Sequence, residues 1–407
     1  MEATEKCCDT QFKVLSTGDY ILPPPLQASI DKIVEKEGYI SHKTINRSIS
    51  TSGGNFLADL FEVDIKGKTA DGDKETNIFI KNKMEDIAVT VLDVSECYNL
   101  ENFFYGDLSK MYDDIQNKAN IPIEERYNMV KSYDATNPNA IILENLSKKG
   151  FTTVHRMEVA PLKFAQLSAQ QLARFHGLSW VLEKQNPDYF AKKIRTIKPT
   201  YKLNDDYQKF VDNMATYTDK CVDGEKRVKL KKFGSRMMEA MQRNYFENDD
   251  SRCCLCHGDY RANNILVKKD GEEIIEVIPV DYQLLYYGCP ALDFIYFIFP
   301  CTDQEFRRQH LDDLKDLYYE SLRKFLQYFN MDVESVYPRD EFEREYKKRL
   351  EYGLTIALLL TPVLFTNDDD VPDIAHDDLG SISVTPDLKM DERIRGLVDD
   401  FEKWHIL

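Results

Sequence analysis

The sequence predicts an α+β chain of two lobes: a small β-rich lobe over residues 1–145 and a larger, mostly helical lobe over residues 146–407. Three observations predict it. Period-two apolar alternation near residues 61–81 and a short apolar run at 140–143 fill the first part with strands. Beyond residue 146 the pattern turns to long stretches of helical period. The chain of 407 residues is 43% hydrophobic, with the apolar residues spread along its whole length, enough for a core in each lobe.

Phe61, Val63 and Ile65 alternate with Glu62, Asp64 and Lys66, the pattern of a half-buried strand. Lys66–Lys74 reads as a polar turn, and Asn77–Lys81 as the returning strand of a hairpin. Glu101–Tyr112 reads as a helix with Glu101, Phe104, Tyr105, Leu108, Met111 and Tyr112 on one face. Ala140–Leu143 is a buried strand that the polar pair Glu144-Asn145 ends. In the second lobe, Pro161–Trp180 is helical, and further helical stretches are expected at 204–245, 304–330 and 339–365. A compact β segment lies between the first two of these, at Cys253–Cys256, Ile265–Val267 and Glu276–Val280. Asn367–Asp373 reads as an acidic linker, and Asp391–His405 as a final helix.

The formal net charge is -17. Such a surface repels nucleic-acid backbones and anionic lipid headgroups, so neither is an expected partner. The longest apolar run, Leu354–Phe365, falls short of the roughly 20 residues that span a bilayer. Met1–Lys6 has no apolar core of a signal peptide, and Glu2 breaks the myristoylation pattern. The nine cysteines are odd in number and irregularly spaced. The expectation is free thiols and a cytoplasmic location. Cys253, Cys254, Cys256 and His257 look superficially like a zinc site. Adjacent cysteines on an extended segment point to opposite faces, however, and no second Cys/His pair follows at finger spacing. They read as a half-buried strand.

The chemistry concentrates in His257-Gly258-Asp259-Tyr260-Arg261-Ala262-Asn263-Asn264, followed by Val280-Asp281. Phosphoryl transfer needs a carboxylate at the acceptor hydroxyl, and hard oxygen ligands that hold magnesium on the phosphates. Asp259 and Asn264 are five residues apart, and Asp281 closes an apolar strand twenty-two residues after Asp259. The β segment between them folds back, so the three oxygens can converge. Asp259, Asn264 and Asp281 are therefore the candidate catalytic residues, and Asn264 and Asp281 the candidate metal ligands.

This block resembles the kinase-like phosphotransferases with a His-Gly-Asp loop, the aminoglycoside and choline kinases. Leu255–Asp259, Asn263–Leu266, Val280–Gln283 and Gly288–Asp293 together resemble the ecdysteroid kinase-like family of arthropods. Ile142–Leu146 with Gly150-Phe151, and Leu172–His176, resemble that family's hinge and first large-lobe helix, so the resemblance runs from about residue 50 to residue 300. It implies a two-lobed protein-kinase-like fold, with ATP between the lobes and Mg2+ on its phosphates. Lys81 would pair the α- and β-phosphates, and Glu101 would hold Lys81. Lys83 shares a strand face with Lys81 and competes for the role. Gly53, Gly54 and Asn55 would cover the phosphates in a turn that is not a G-x-G-x-x-G loop. Glu144 and Leu146 would offer backbone groups to adenine; many members have Asp after this Glu, where this chain has Asn145.

Other roles are structural. His257 is expected to orient the loop or fill the core, His176 to pack its helix, and Asp293 to anchor the large lobe. Asp281 is followed by Tyr282-Gln283 and, within about a dozen residues, by Gly288–Asp293. That leaves little room for a protein kinase's activation segment and peptide platform. A complete set of Lys81, Glu101, Asp259, Asn264 and Asp281 argues against a pseudokinase. The expected reaction carries the γ-phosphoryl group of ATP to a small hydroxylated acceptor. An ecdysteroid leads, with choline or ethanolamine as the alternative.

Overall fold

The computed structural model describes residues 13–14, 20–50, 58–85, 87–247, 252–367, 370 and 380–407. A five-stranded antiparallel sheet forms the first lobe in chain order: β1 (Lys13–Val14), β2 (Ser41–Ser50), β3 (Ala58–Thr69), β4 (Gly72–Lys83) and β5 (Ala140–Glu144). Helix α1 (Pro24–Lys36) begins on a proline that presets its first turn. Its Leu26, Ile30, Ile33 and Val34 share one face and pack on Phe61, Val63, Ile65, Ile78, Ile80 and Ile142 of the sheet. Each such aliphatic side chain contributes about 1.5–3 kcal/mol by leaving water. The sheet's alternation then decides where the charges go. Ile78 and Ile80 face α1, so Phe79 and Lys81 must face the other way, toward the second lobe.

Helix α2 (Val94–Phe103) starts at Asp93, whose side chain accepts from Glu96 N. It passes through a wide turn at Phe104–Leu108 into α3 (Ser109–Lys118). The second lobe is built around α4 (Leu162–Gln185), which lies against the long helix Gln304–Gln327. Gly177 permits the approach, since a Cβ there would meet Phe325 Cδ1 at 2.8 Å. Two small sheets carry the loops of interest: β6 (Phe151–Thr153), β8 (Ile265–Asp270) and β9 (Glu273–Pro279) in one, β7 (Cys254–Cys256) with β10 (Tyr286–Gly288) in the other. Beneath them runs the helix Pro290–Cys301, buried at every position.

Several boundaries differ from expectation. Lys66–Lys74 is mostly strand, because β3 and β4 stay paired out to Thr69↔Gly72 and only Ala70-Asp71 turn. Exposed charged pairs such as Lys66–Glu75, 3.1 Å apart, line that extension and hide its strand character from a hydrophobicity pattern. Glu101 sits late in α2 instead of opening a helix, since the Asp93 cap sets the start. The expected helix at 204–245 is broken into Asp205–Thr218, Gly224–Gly234 and Met237–Met241, and that at 339–365 into Arg339–Lys348 and Leu350–Leu364. Helix α1 and strand β2 had no counterpart in the sequence reading. Most of the acidic stretch 367–373 lies outside the described residues. The final helix is Lys389–Lys403, and its Ile394, Leu397, Val398 and Phe401 are fully buried. Among the described residues no helix is long and apolar enough to cross a membrane.

Candidate active site

The inward face of β4 brings Lys81 to a buried junction between the lobes. Its Nζ lies 2.9 Å from Glu101 Oε2 on α2 and 2.6 Å from Asp281 Oδ1, which follows β9. Lys83, two residues on, stacks over the Tyr98 ring instead. Burial pulls the Lys81 ammonium's pKa down, but Asp281 and Glu101 more than reverse it and hold it above the usual lysine range. One ammonium serves two carboxylates here. Burial therefore raises the deeper Glu101, to about 7, against the pull of Lys81 and with help from Asp281. Asp281 has a φ of 70°, a left-handed conformation uncommon outside glycine. The turn points its carboxylate back at Lys81 while Tyr282 is driven into the core. There the Tyr282 ring stacks on Phe104 at 3.4 Å, with the His257 ring 4.9 Å away.

The loop after β7 is fixed from below. Asp293, at the start of the buried helix, accepts from His257 N at 2.6 Å and Gly258 N at 2.9 Å. His176 of α4 bridges Asp293 Oδ2 (3.1 Å) and the Tyr318 hydroxyl (2.7 Å). His257 Nε2 meets Val280 O at 3.1 Å, joining the loop to the residue before Asp281, and burial pushes its imidazole pKa down. Gly258 has a φ of 80°, and a Cβ on it would come within 2.0 Å of Leu284 O. This scaffold presents Asp259. Its Oδ1 accepts from Arg261 Nε at 2.9 Å and from the Tyr296 hydroxyl at 2.7 Å. Its Oδ2 accepts from Asn264 Nδ2 at 2.7 Å. Burial pushes the Asp259 carboxyl up, but Arg261 and the Tyr296 phenol outweigh that and keep it below the ordinary aspartate value.

The structure thus gathers Lys81, Glu101 and Asp281 in one cluster and Asp259 and Asn264 in the adjoining loop, where Val280 N donates to Asn264 O at 2.9 Å. Glu144 ends β5 opposite Ile78 and pairs with Lys149 at 2.7 Å, while Leu146 is buried just beyond, on the segment that joins the lobes. Gly53, Gly54 and Asn55 lie outside the described residues. Cys254 and Cys256 are free thiols, buried like Cys253, and His257 turns away to Val280. The buried group His176, Cys254 and Cys256 is close enough for a metal, yet both His176 ring nitrogens are already engaged. Sequence reasoning gave no role to Arg261 or to Gln283, whose Oε1 accepts from Lys81 Nζ at 3.4 Å, and it read Tyr296 only with Tyr282, Tyr286, Tyr287, Phe294, Phe297 and Phe299 as aromatic residues that pack the core or line a pocket. Spacing held the signal for two of them: Arg261 stands two residues beyond Asp259, and Tyr296 one helical turn beyond Asp293.

A match to the ecdysteroid kinase-like family covers residues 52–331. The chain belongs to that family. No curated protein matches. Solved structures that overlay on it include a Plasmodium vivax ethanolamine kinase, at 14% identity and TM-score 0.38, covering 89% of this chain and 84% of that one. A microcompartment-associated aminopropanol kinase overlays at 11% identity and TM-score 0.41, covering 93% and 99%. A choline/ethanolamine kinase family protein from Mesorhizobium loti gives 11% and 0.40, covering 94% and 98%.

As a member of the ecdysteroid kinase-like family, the chain is a small-molecule kinase of protein-kinase-like fold, with a β-sheet first lobe and a mostly helical second. The residues present fit ATP and magnesium. Asp281 offers carboxylate oxygen and Asn264 amide oxygen, hard donors of the kind that suit magnesium. Asn264 commits its Nδ2 to Asp259, so Oδ1 is the atom that would meet a metal ion.

Proposed function

We propose that this kinase transfers the γ-phosphoryl group of ATP to a hydroxyl of a rigid, hydroxylated, largely apolar acceptor, an ecdysteroid being the leading candidate, and that it works in the cytoplasm. The observation that carries the reading is the approach of Lys81, bridged to Glu101 and Asp281, to the loop bearing Asp259 and Asn264. Lys81 would leave Asp281 for the α- and β-phosphates while Glu101 keeps it in place. Asn264 and Asp281 would hold Mg2+, which when bound draws charge from the phosphates. Backbone groups at Glu144 and Leu146 would meet adenine, and those of Gly53, Gly54 and Asn55 the phosphates. Asp259 would accept a hydrogen bond from the acceptor hydroxyl and take up its proton as the P–O bond forms. Being held ionised, it orients the hydroxyl before transfer more than it removes the proton early.

The acceptor class is supported by the phenols that crowd Asp259. Tyr296 touches it, and Tyr201 and Tyr352 lie within its field. Aromatic surroundings of this kind favour a rigid apolar skeleton. The test is ATP-dependent phosphorylation of a panel of ecdysteroids, choline, ethanolamine and hydroxylated plant compounds, with products read by mass. Asp259→Asn should lower transfer by about 10²–10⁴-fold while leaving ATP binding intact. Asp281→Asn should weaken magnesium-dependent ATP binding. Normal turnover by both variants would refute the site assignment.

A further inference from the structure

Each carboxylate oxygen has two lone-pair directions, so Asp259 offers four acceptor positions. Three are filled in the structure. Arg261 Nε at 2.9 Å and the Tyr296 hydroxyl at 2.7 Å both occupy Oδ1, and Asn264 Nδ2 occupies one position on Oδ2. A single direction on Oδ2 remains for an incoming hydroxyl. Tyr296 reaches Asp259 from the fully buried helix Pro290–Cys301, one turn after Asp293, and is itself 2% exposed. The same helix face thus holds the loop's backbone through Asp293 and its reactive side chain through Tyr296. Arg261 is 9% exposed and approaches Oδ1 from within the loop. The phenol of Tyr201 adjoins that of Tyr296. Tyr201 bridges to Leu92, beside Asp93, the residue that caps the helix bearing Glu101.

We propose that Tyr296 and Arg261 are positioning residues that together clamp Oδ1 of Asp259, so that its Oδ2 presents one open acceptor direction to the substrate hydroxyl. The inference rests on the functional reading above and names what sets the geometry of that reaction. Neither residue needs to touch substrate. Removing the Tyr296 hydroxyl opens a second lone pair and lets the carboxylate rotate, which admits water or a misaligned hydroxyl. Small misplacements of this kind cost about a hundredfold in rate.

The experiment compares wild type with Tyr296→Phe in steady-state transfer to whichever acceptor the wild type phosphorylates, alongside magnesium–ATP binding and the ratio of ATP hydrolysed to acceptor phosphorylated. The expected result is a fall in kcat of about 10–100-fold. ATP affinity stays within about twofold, and the hydrolysis ratio rises. A purely structural tyrosine would change neither kcat per folded molecule nor that ratio. If Tyr296→Phe does not fold, Arg261→Gln is read on the same two measures. Variants that match wild type in kcat and hydrolysis ratio overturn this inference alone. A wild type that neither transfers phosphate nor hydrolyses ATP overturns the functional reading, and this inference with it.

Discussion

Asn145 donates from Nδ2 to Glu62 Oε1 at 2.8 Å, and its Oδ1 accepts from Ser147 N at 3.1 Å and Ser147 Oγ at 2.7 Å. Every polar atom of the amide thus has a use at the junction of the lobes. Glu62 is buried, with Arg47 3.6 Å away as its nearest cation. An aspartate in its place would set two carboxylates against each other in a dry place. Asn145→Asp should therefore destabilise the protein by about 1–3 kcal/mol, read as a lower urea midpoint at pH 7.5. The sequence shows the substitution but not its reason, because Glu62 lies far off in the chain and meets Asn145 only once the sheet has formed. The same distinction separates Lys81 from Lys83. Alternation places both on one face, and only the position of α2 decides which one finds Glu101.

At the scale of elements, the helix Pro290–Cys301 carries much of the site. Gly288–Asp293 was legible as a motif because the family writes it in adjacent residues, whereas the helix after it has no polar face to betray an amphipathic period. Helix α1 escaped notice for the opposite reason: its five buried residues alternate with enough lysine and glutamate to resemble a surface segment. The β7, β8 and β9 segments were legible because each is a short apolar run between turns. Asp293 gives the buried helix its hold on the loop, through His257 N, Gly258 N and His176. Asp293→Asn keeps one oxygen but turns an NH2 toward a buried donor. A stranded N–H costs about 1–3 kcal/mol, so the variant should lose at least that much stability. Transfer should fall with it even at temperatures where the variant remains folded, because Asp259 rides on the same loop. Hydrogen exchange at His257 and Gly258 amides would report the loss directly: faster exchange confined to this loop is the expected pattern, and unchanged protection would contradict it.

Across the whole molecule, the C-terminal helix Lys389–Lys403 closes the large lobe through a charge cluster as well as through its apolar face. Asp400 Oδ2 accepts from Arg307 Nε at 2.7 Å, and its Oδ1 accepts from Gln304 Nε2 at 3.1 Å. Arg307 also donates to Thr302 O at 2.7 Å, and the neighbouring Arg393 to Pro300 O at 3.2 Å. Burial, and then Arg307 beside it, pull the Arg393 guanidinium down to about 10. Two buried cations therefore lie side by side; Asp400 holds Arg307, and Asp303 attracts both from the start of the Gln304–Gln327 helix. Asp400→Asn removes the carboxylate that pairs with Arg307 and leaves that guanidinium buried beside Arg393, a change that costs about 3–5 kcal/mol in comparable buried pairs. Asp400→Asn combined with Arg307→Met removes one of the two cations as well, so it should recover part of the loss. The two single variants and the double variant form a cycle, measured by urea unfolding, whose coupling term should be large. Additive losses would mean that the apolar face alone fixes this helix and that the cluster contributes little to closing the lobe.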